Sequence, residues 1–274
     1  MKTLEKILQL IKTFSLLNKN DVEFGSILVL THENIENIIE EYEYKKRMDI
    51  NGKMNLIRHV KDNDYADEIP GERMAKYTIK FFEHWITDKN NPIDSRLCRD
   101  FISRLATKKG RFCSSSHCIG RWFGIHPDGT IQPCGRDWKK SVSFGNIHNV
   151  NSIKEILEHP NFIRFKEETK ELRKKCKEEC DFFYACQGGC YANNYAVTED
   201  FTKRNENYCV FTRKVLSYVF NRIKNIDPLV ENNDYNPYFI KHLNRLGFRN
   251  MKQIKQFEKN KKNIINDEEV NLNF

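Results

Sequence analysis

The sequence predicts an α/β protein whose second half is organised around cysteines, and three observations predict it. Over roughly the first sixty residues the apolar pattern reads helix, strand, helix, strand, which is the grammar of repeated α/β units. Ile27-Leu28-Val29-Leu30 has no polar alternation, as expected of a parallel strand covered on both faces. Eight of the nine cysteines fall between Cys113 and Cys209, interleaved with Gly, Pro and short strand-like stretches.

The elements follow in order. Leu4, Ile7, Leu8, Ile11 and Phe14 recur at helical spacing and open the chain with a helix. The strand Phe24–Leu30 comes next, and Thr31 is placed to cap a helix striped by Ile35, Ile38, Ile39 and Tyr42. Asn51-Gly52 predicts a turn, and Met54 to Ile57 a second short strand. Met74, Tyr77, Thr78, Phe81, Phe82 and Trp85 predict a core-facing helix that Asn90-Asn91-Pro92 breaks. Leu97, Phe101, Ile102 and Leu105 predict another helix, in which Cys98 is a structural thiol with no cysteine neighbour at ligand spacing. Pro127-Asp128-Gly129 between apolar flanks predicts a β-hairpin that delivers Cys134 at its far end. Ser152 and Glu155 form a capping box for a helix over Ile153–Leu157, and a charged helix then runs up to Cys176. A helix through Val210, Phe211, Val215, Leu216 and Val219 follows, and from about Glu231 the chain is polar, rich in Lys and Asn, and without a readable motif.

Composition narrows the function classes. The chain has 274 residues, enough for one large domain or two ordinary ones, and 12% aromatics, too many for a disordered chain. No apolar stretch is long enough to cross a membrane, and the N-terminus does not read as a signal peptide. A cytoplasmic, reducing location is therefore expected, where nine cysteines serve as metal ligands rather than as a disulfide framework. The net charge of +8 is spread along the chain, which suits a solvated basic surface better than a nucleic-acid groove. Eight clustered thiols divide into two sets of four, the number needed by two iron–sulfur clusters or by two zinc ions. In Cys186-Gln187-Gly188-Gly189-Cys190 the glycines let the backbone turn and leave N–H groups to hydrogen-bond sulfur.

Gly129-x4-Cys134, a gap, Cys176-x3-Cys180-x5-Cys186-x3-Cys190, a second gap and Cys209 resemble the SPASM domain of radical SAM enzymes. That family reads Cys-x9–15-Gly-x4-Cys, gap, Cys-x2-Cys-x5-Cys-x3-Cys, gap, Cys, and both Cys118 and Cys113 satisfy the first spacing. Phe144-Gly145-Asn146-Ile147 and the helix after Ser152 resemble the family as well, so the resemblance runs from about Arg111 to Tyr218. One departure is the three residues between Cys176 and Cys180, expected to be a loop insertion that still permits chelation. The resemblance implies two auxiliary 4Fe-4S clusters with interleaved ligands. Cys113, Cys118, Cys134 and Cys190 would hold the first, with Cys113 the ligand that some family members leave out to open an iron to substrate. Cys176, Cys180, Cys186 and Cys209 would hold the second.

Upstream, the Phe24–Thr31 strand, the helix containing Asn34 and the Met54–Ile57 strand resemble late βα units of a radical SAM partial TIM-type barrel. No three cysteines have the Cys-x3-Cys-x2-Cys spacing of the cluster that binds S-adenosylmethionine (SAM), so no residue here is assigned to SAM. The expected architecture is a barrel segment over residues 1–95, a small α+β SPASM domain over 96–218 and a helical, partly mobile tail over 219–274.

The resemblance implies the C-terminal portion of a peptide- or protein-modifying enzyme, such as a maturase of ribosomally made peptides. Its auxiliary clusters would pass electrons or position substrate. SAM would enter only with a chain carrying the other barrel half, and the implied partners are a peptide or protein substrate and a reductant such as ferredoxin or flavodoxin. Gly135 follows Cys134, where the sulfatase maturases of the family place an aspartate base, which favours peptide maturation. Asp137 is the one candidate catalytic carboxylate, Arg136 a candidate partner for a substrate carboxylate, and His117 and His126 ordinary loop or strand residues. The alternative is a non-catalytic iron–sulfur or zinc protein acting as electron carrier or adaptor. Nucleic-acid binding through zinc ribbons is disfavoured, because the cysteines do not form two separate local pairs.

Overall fold

Strand β1 (Gly25–Leu30) and strand β2 (Asn51–Leu56) pair in parallel, from Gly25 opposite Asn51 to Leu30 opposite Leu56. In the computed structural model, residues 2–57, 69–107, 113, 118–136, 138–224, 226 and 234–246 are described. Helix α1 (Lys2–Lys19) precedes the sheet, and its Phe14 ring stacks on Phe24 at 5.3 Å. A short 3₁₀ turn and helix α2 (Ile38–Arg47) cross from β1 to β2, burying Ile35, Ile38 and Tyr42 as their spacing predicts.

Three local expectations are corrected. Thr31 does not cap α2: its hydroxyl accepts from the Glu33 N–H, and its own N–H donates to Asn34 Oδ1, so the segment closes as a turn before the helix begins. Asn51-Gly52 is not the turn but the start of β2; the chain reverses at Asp49, with φ 50°. Gly52 is needed where β2 approaches β1, because a Cβ there would come within 2.0 Å of the Ser26 carbonyl oxygen. The sheet is not covered on both faces either. Leu30 and Met54 are buried in the larger core, whereas Ile27 is 66% and Val29 44% exposed.

Helix α3 (Gly71–Thr87) buries Met74, Thr78, Phe81, Phe82 and Trp85 along one stripe. It ends at Asp88, two residues before the predicted break. The Asp88 carboxylate accepts from Tyr42 Oη and Lys46 Nζ at 2.8 Å each, tying the end of α3 to α2. Burial would raise the Asp88 carboxyl, but these two donors hold it below its ordinary value. A depressed folded pKa means that this contribution is present above the unfolded carboxylate pKa and is lost as pH falls through the folded one. Asp88→Asn should therefore cost about 1–3 kcal/mol at neutral pH and flatten the acid side of the stability–pH curve, as urea unfolding across the acid range would measure.

Helix α4 (Arg96–Thr107) buries Leu97, Phe101, Ile102 and Leu105 together with Cys98, whose thiol burial pushes up, as suits a structural role. The hairpin of β3 (Gly124–Ile125) and β4 (Ile131–Gln132) forms where predicted. The Phe144–Ile147 stretch lies against it: Phe144 N–H donates to the Ile131 carbonyl at 2.8 Å, and the Asn146 side chain donates to the Asp128 carbonyl at 2.8 Å, bracing the Pro-Asp-Gly turn. Helix α5 (Ile153–Glu158) starts at Ser152, whose Oγ accepts from the Glu155 N–H, while Glu155 accepts from the Asn151 N–H rather than that of Ser152.

Helices α6 (Pro160–Glu179), α7 (Phe183–Cys186), α8 (Tyr191–Thr198), α9 (Glu206–Ile223) and α10 (Pro237–Arg245) complete the order. Two cores result. The larger joins β1, α2, α3, α4, α9 and α10, with α3 packed along α9; the smaller, built on Phe144, Phe162, Phe165 and Phe201, backs the hairpin and α6. Helix α10 lies in the segment whose sequence carries no readable motif. Fully buried Asn236 docks it: its amide donates to the Trp85 carbonyl at 2.8 Å, and its Oδ1 caps the helix through the Tyr238 N–H.

Candidate metal centres

The eight clustered cysteines separate into two neighbourhoods. In the first, Cys134 follows β4, Cys190 stands at the N-terminus of α8, and Cys118 precedes the hairpin. Burial, and after it the neighbouring sulfurs of Cys190, Cys113 and Cys134, raise the Cys118 thiol to about 11. Cys113 itself is exposed.

In the second neighbourhood, Cys176, Cys180, Cys186 and Cys209 line one cavity, together with Gly188, Gly189, Arg204 and Arg213. Cys176 occupies the last turn of α6, and Cys180 ends that helix with its N–H bonded to the Cys176 carbonyl at 3.1 Å. The three residues between them are helical, which corrects the expected loop insertion: a spacing of four along a helix places both thiols on one face. Cys186 ends α7, after which Gln187, Gly188 and Gly189 adopt φ of 59°, 88° and 79°. This left-handed run suits glycine and turns the Gly188 N–H toward the Cys186 sulfur. Arg173 fixes the loop through the Gln187 carbonyl at 3.1 Å and side-chain oxygen at 2.8 Å, and Asn194 through the Gly188 carbonyl at 3.0 Å. Cys209 enters from the first turn of α9, which Asn205 caps.

Burial raises all four of these thiols, Cys186 to about 11 and Cys209 to about 12, so loading a metal group there must release protons. Cations oppose the shift. Arg204 Nη1 lies 4.0 Å from Cys176 Sγ while paired with Glu179 and Glu206 at 2.8 Å each, Arg213 acts on Cys180, and Arg104 on Cys186. These arginines come from separate elements and escape a reading by spacing; only Arg204, five residues before Cys209, carries a sequence signal, a fixed cation beside a thiolate. His126 stands apart from both thiol sets, its ring nitrogen 2.6 Å from Gln132 Oε1. Asp137 and His117 lie outside the described residues. All nine cysteines are thiols rather than disulfides, and among the described residues no three Cys, His, Asp or Glu side chains converge closely enough for a single metal ion. No described helix is long and apolar enough to cross a membrane.

Comparison with known proteins bears on both halves. The SPASM family, described as an iron–sulfur cluster-binding domain, matches residues 113–181. A serine-type anaerobic sulfatase-maturating enzyme of Bacteroides thetaiotaomicron is 23% identical over 210 residues, which cover 68% of this chain and 49% of that enzyme. The fold matches native anSMEcpe with bound AdoMet at a TM-score of 0.64 and 22% identity, covering 83% of this chain and 62% of that one. The same protein solved with AdoMet and the Kp18Cys peptide matches at 0.63, again over 62% of its length. The chain thus spans about half of that curated relative.

Proposed function

We propose that the chain is the cluster-binding, C-terminal portion of a radical SAM/SPASM peptide- or protein-modifying enzyme, a reading supported by the SPASM match over residues 113–181 and by the likeness of its fold to part of anSMEcpe. It holds two auxiliary 4Fe-4S clusters, the first on Cys113, Cys118, Cys134 and Cys190 and the second on Cys176, Cys180, Cys186 and Cys209. The observation that carries this reading is the single cavity lined by four thiols from α6, its C-terminus, α7 and α9. N–H groups directed at Cys180 and Cys186 also suit thiolate-bound clusters.

When bound, the clusters supply electron transfer or a template for substrate. The residues of the chain do the rest. Gln187 to Gly189 hold the Cys186 sulfur against backbone N–H groups, and Arg204 compensates thiolate charge at Cys176 and Cys209. The substrate by this reading is a peptide or protein, as the relatives solved with bound peptides suggest by analogy.

Paired substitutions test the assignment. Cys180→Ser with Cys186→Ser should lower iron from about eight to about four per chain, and Cys118→Ser with Cys134→Ser should remove the other four. Circular dichroism would verify folding. A pair that removed all the iron, or none, would break the division into two sets.

A further inference from the structure

The exposed face of the two-stranded sheet borders a cavity of about 520 Å³, within the range of sites that take small ligands or side chains. It lies between β2, α4 and α9, with Phe101, Tyr208 and Phe211 among its walls. Lys53, Arg96, Arg104 and Arg136 also line it, and among the described residues no acidic side chain does. Arg104 is already compensated, its Nη2 being 2.5 Å from the buried Asp100 carboxylate. Lys53 and Arg136 meet no carboxylate among the described residues. Lys53 comes from β2, where it is paired with Ile27, and Arg136 from the loop two residues beyond Cys134.

Two cations without a carboxylate partner among the described residues, on the wall of a partly aromatic space, make its field positive. A carboxylate is the group such a site selects, and the Arg136 guanidinium matches it through two parallel hydrogen bonds. We infer that this cavity recognises a carboxylate of the substrate, so that the peptide acted on carries Glu or Asp beside the residue presented to the first thiol set. The inference rests on the peptide-modifying reading above and names its substrate class. A free amino-acid carboxylate, such as that of SAM, has the same chemistry and is the competing source.

The test uses the reconstituted full chain and three probes: a short capped Ala/Gly peptide with two glutamates and a fluorophore, its glutamine twin, and SAM. Fluorescence anisotropy should show the glutamate peptide binding about tenfold more tightly than its twin, a preference that shrinks as salt is raised. Lys53→Gln with Arg136→Gln should abolish the preference and leave binding of the twin unchanged. Both side chains are at least partly exposed, so the fold is expected to survive, and near-ultraviolet circular dichroism would verify it. Arg136→Lys should restore part of the preference, because it returns the charge without the planar fork. Equal binding of the twins, or a preference that survives the double substitution, would overturn the inference. Displacement of the glutamate peptide by SAM would overturn it too, assigning the cavity to the SAM carboxylate. None of these results alters the iron count of the cysteine variants, on which the underlying reading stands or falls.

Discussion

Supplied with SAM and dithionite after reconstitution, the 274-residue chain is expected to form no 5′-deoxyadenosine. Reductive cleavage of SAM needs an iron with an open position for the amino-acid part of SAM to chelate. In the proposed assignment the eight clustered cysteines are taken up by two four-thiol sets, and the remaining one, Cys98, is 1% exposed inside α4 with its thiol pushed up by burial. Adding a chain that carries a Cys-x3-Cys-x2-Cys loop and the complementary barrel strands should switch turnover on from nothing, the largest effect the account contains. The edges of the two-stranded β1–β2 sheet are where such strands would pair. Chromatographic detection of 5′-deoxyadenosine reads the result. Its production by the lone chain would mean that an iron of the first set, opened at exposed Cys113, has taken over the role.

Trp85→Ala should be the most destabilising single truncation in the larger core, by about 3–5 kcal/mol. The indole is fully buried, packs edge-to-face on Phe239 with ring centroids 6.1 Å apart, and donates its N–H to the Ile93 carbonyl at 3.0 Å. Its removal therefore leaves a cavity where α3 and α10 meet and strips the Ile93 carbonyl of its donor. A loss of that size is a large share of the whole stability of an ordinary domain. Trp122→Ala, at a ring 62% exposed, should fall within about 0.5 kcal/mol of the parent. Denaturant unfolding of the two variants compares them directly.

What could be read in advance follows the range of the interactions. The α3 stripe, the Pro127–Gly129 hairpin and the cap at Ser152 depend on neighbours a few residues away, and each forms as its spacing predicts. Whether β1 is covered depends on segments that pack on its far side, and its apolar run gives no measure of that. Thr31 misled because the same hydroxyl serves a turn or a cap equally well, and Asn34 competes for the local N–H groups. Helix α10 was hidden because its docking rests on Asn236 reaching Trp85, a contact across 151 positions.

At the candidate centres, the family spacing brought Cys176, Cys180, Cys186 and Cys209 to one cavity, while the helical geometry of the three residues after Cys176 went unread. The arginines around that cavity were unreadable for the same reason as α10. Arg104 and Arg213 stand on different helices, and only the fold brings them to sulfur. Arg136 stands in the sequence as a candidate carboxylate partner, but that it shares a cavity with Lys53 was not legible, because β2 and the hairpin loop lie far apart in the chain.

The central claim is that this chain holds two thiolate-bound iron–sulfur clusters. The most direct measurement is iron, zinc and acid-labile sulfide on anaerobically purified and reconstituted protein, read with the Mössbauer spectrum of the iron. The account predicts brown protein with about eight irons and a matching amount of sulfide per chain, all in the 4Fe-4S form. Colourless protein with about two zinc ions and no labile sulfide would contradict it.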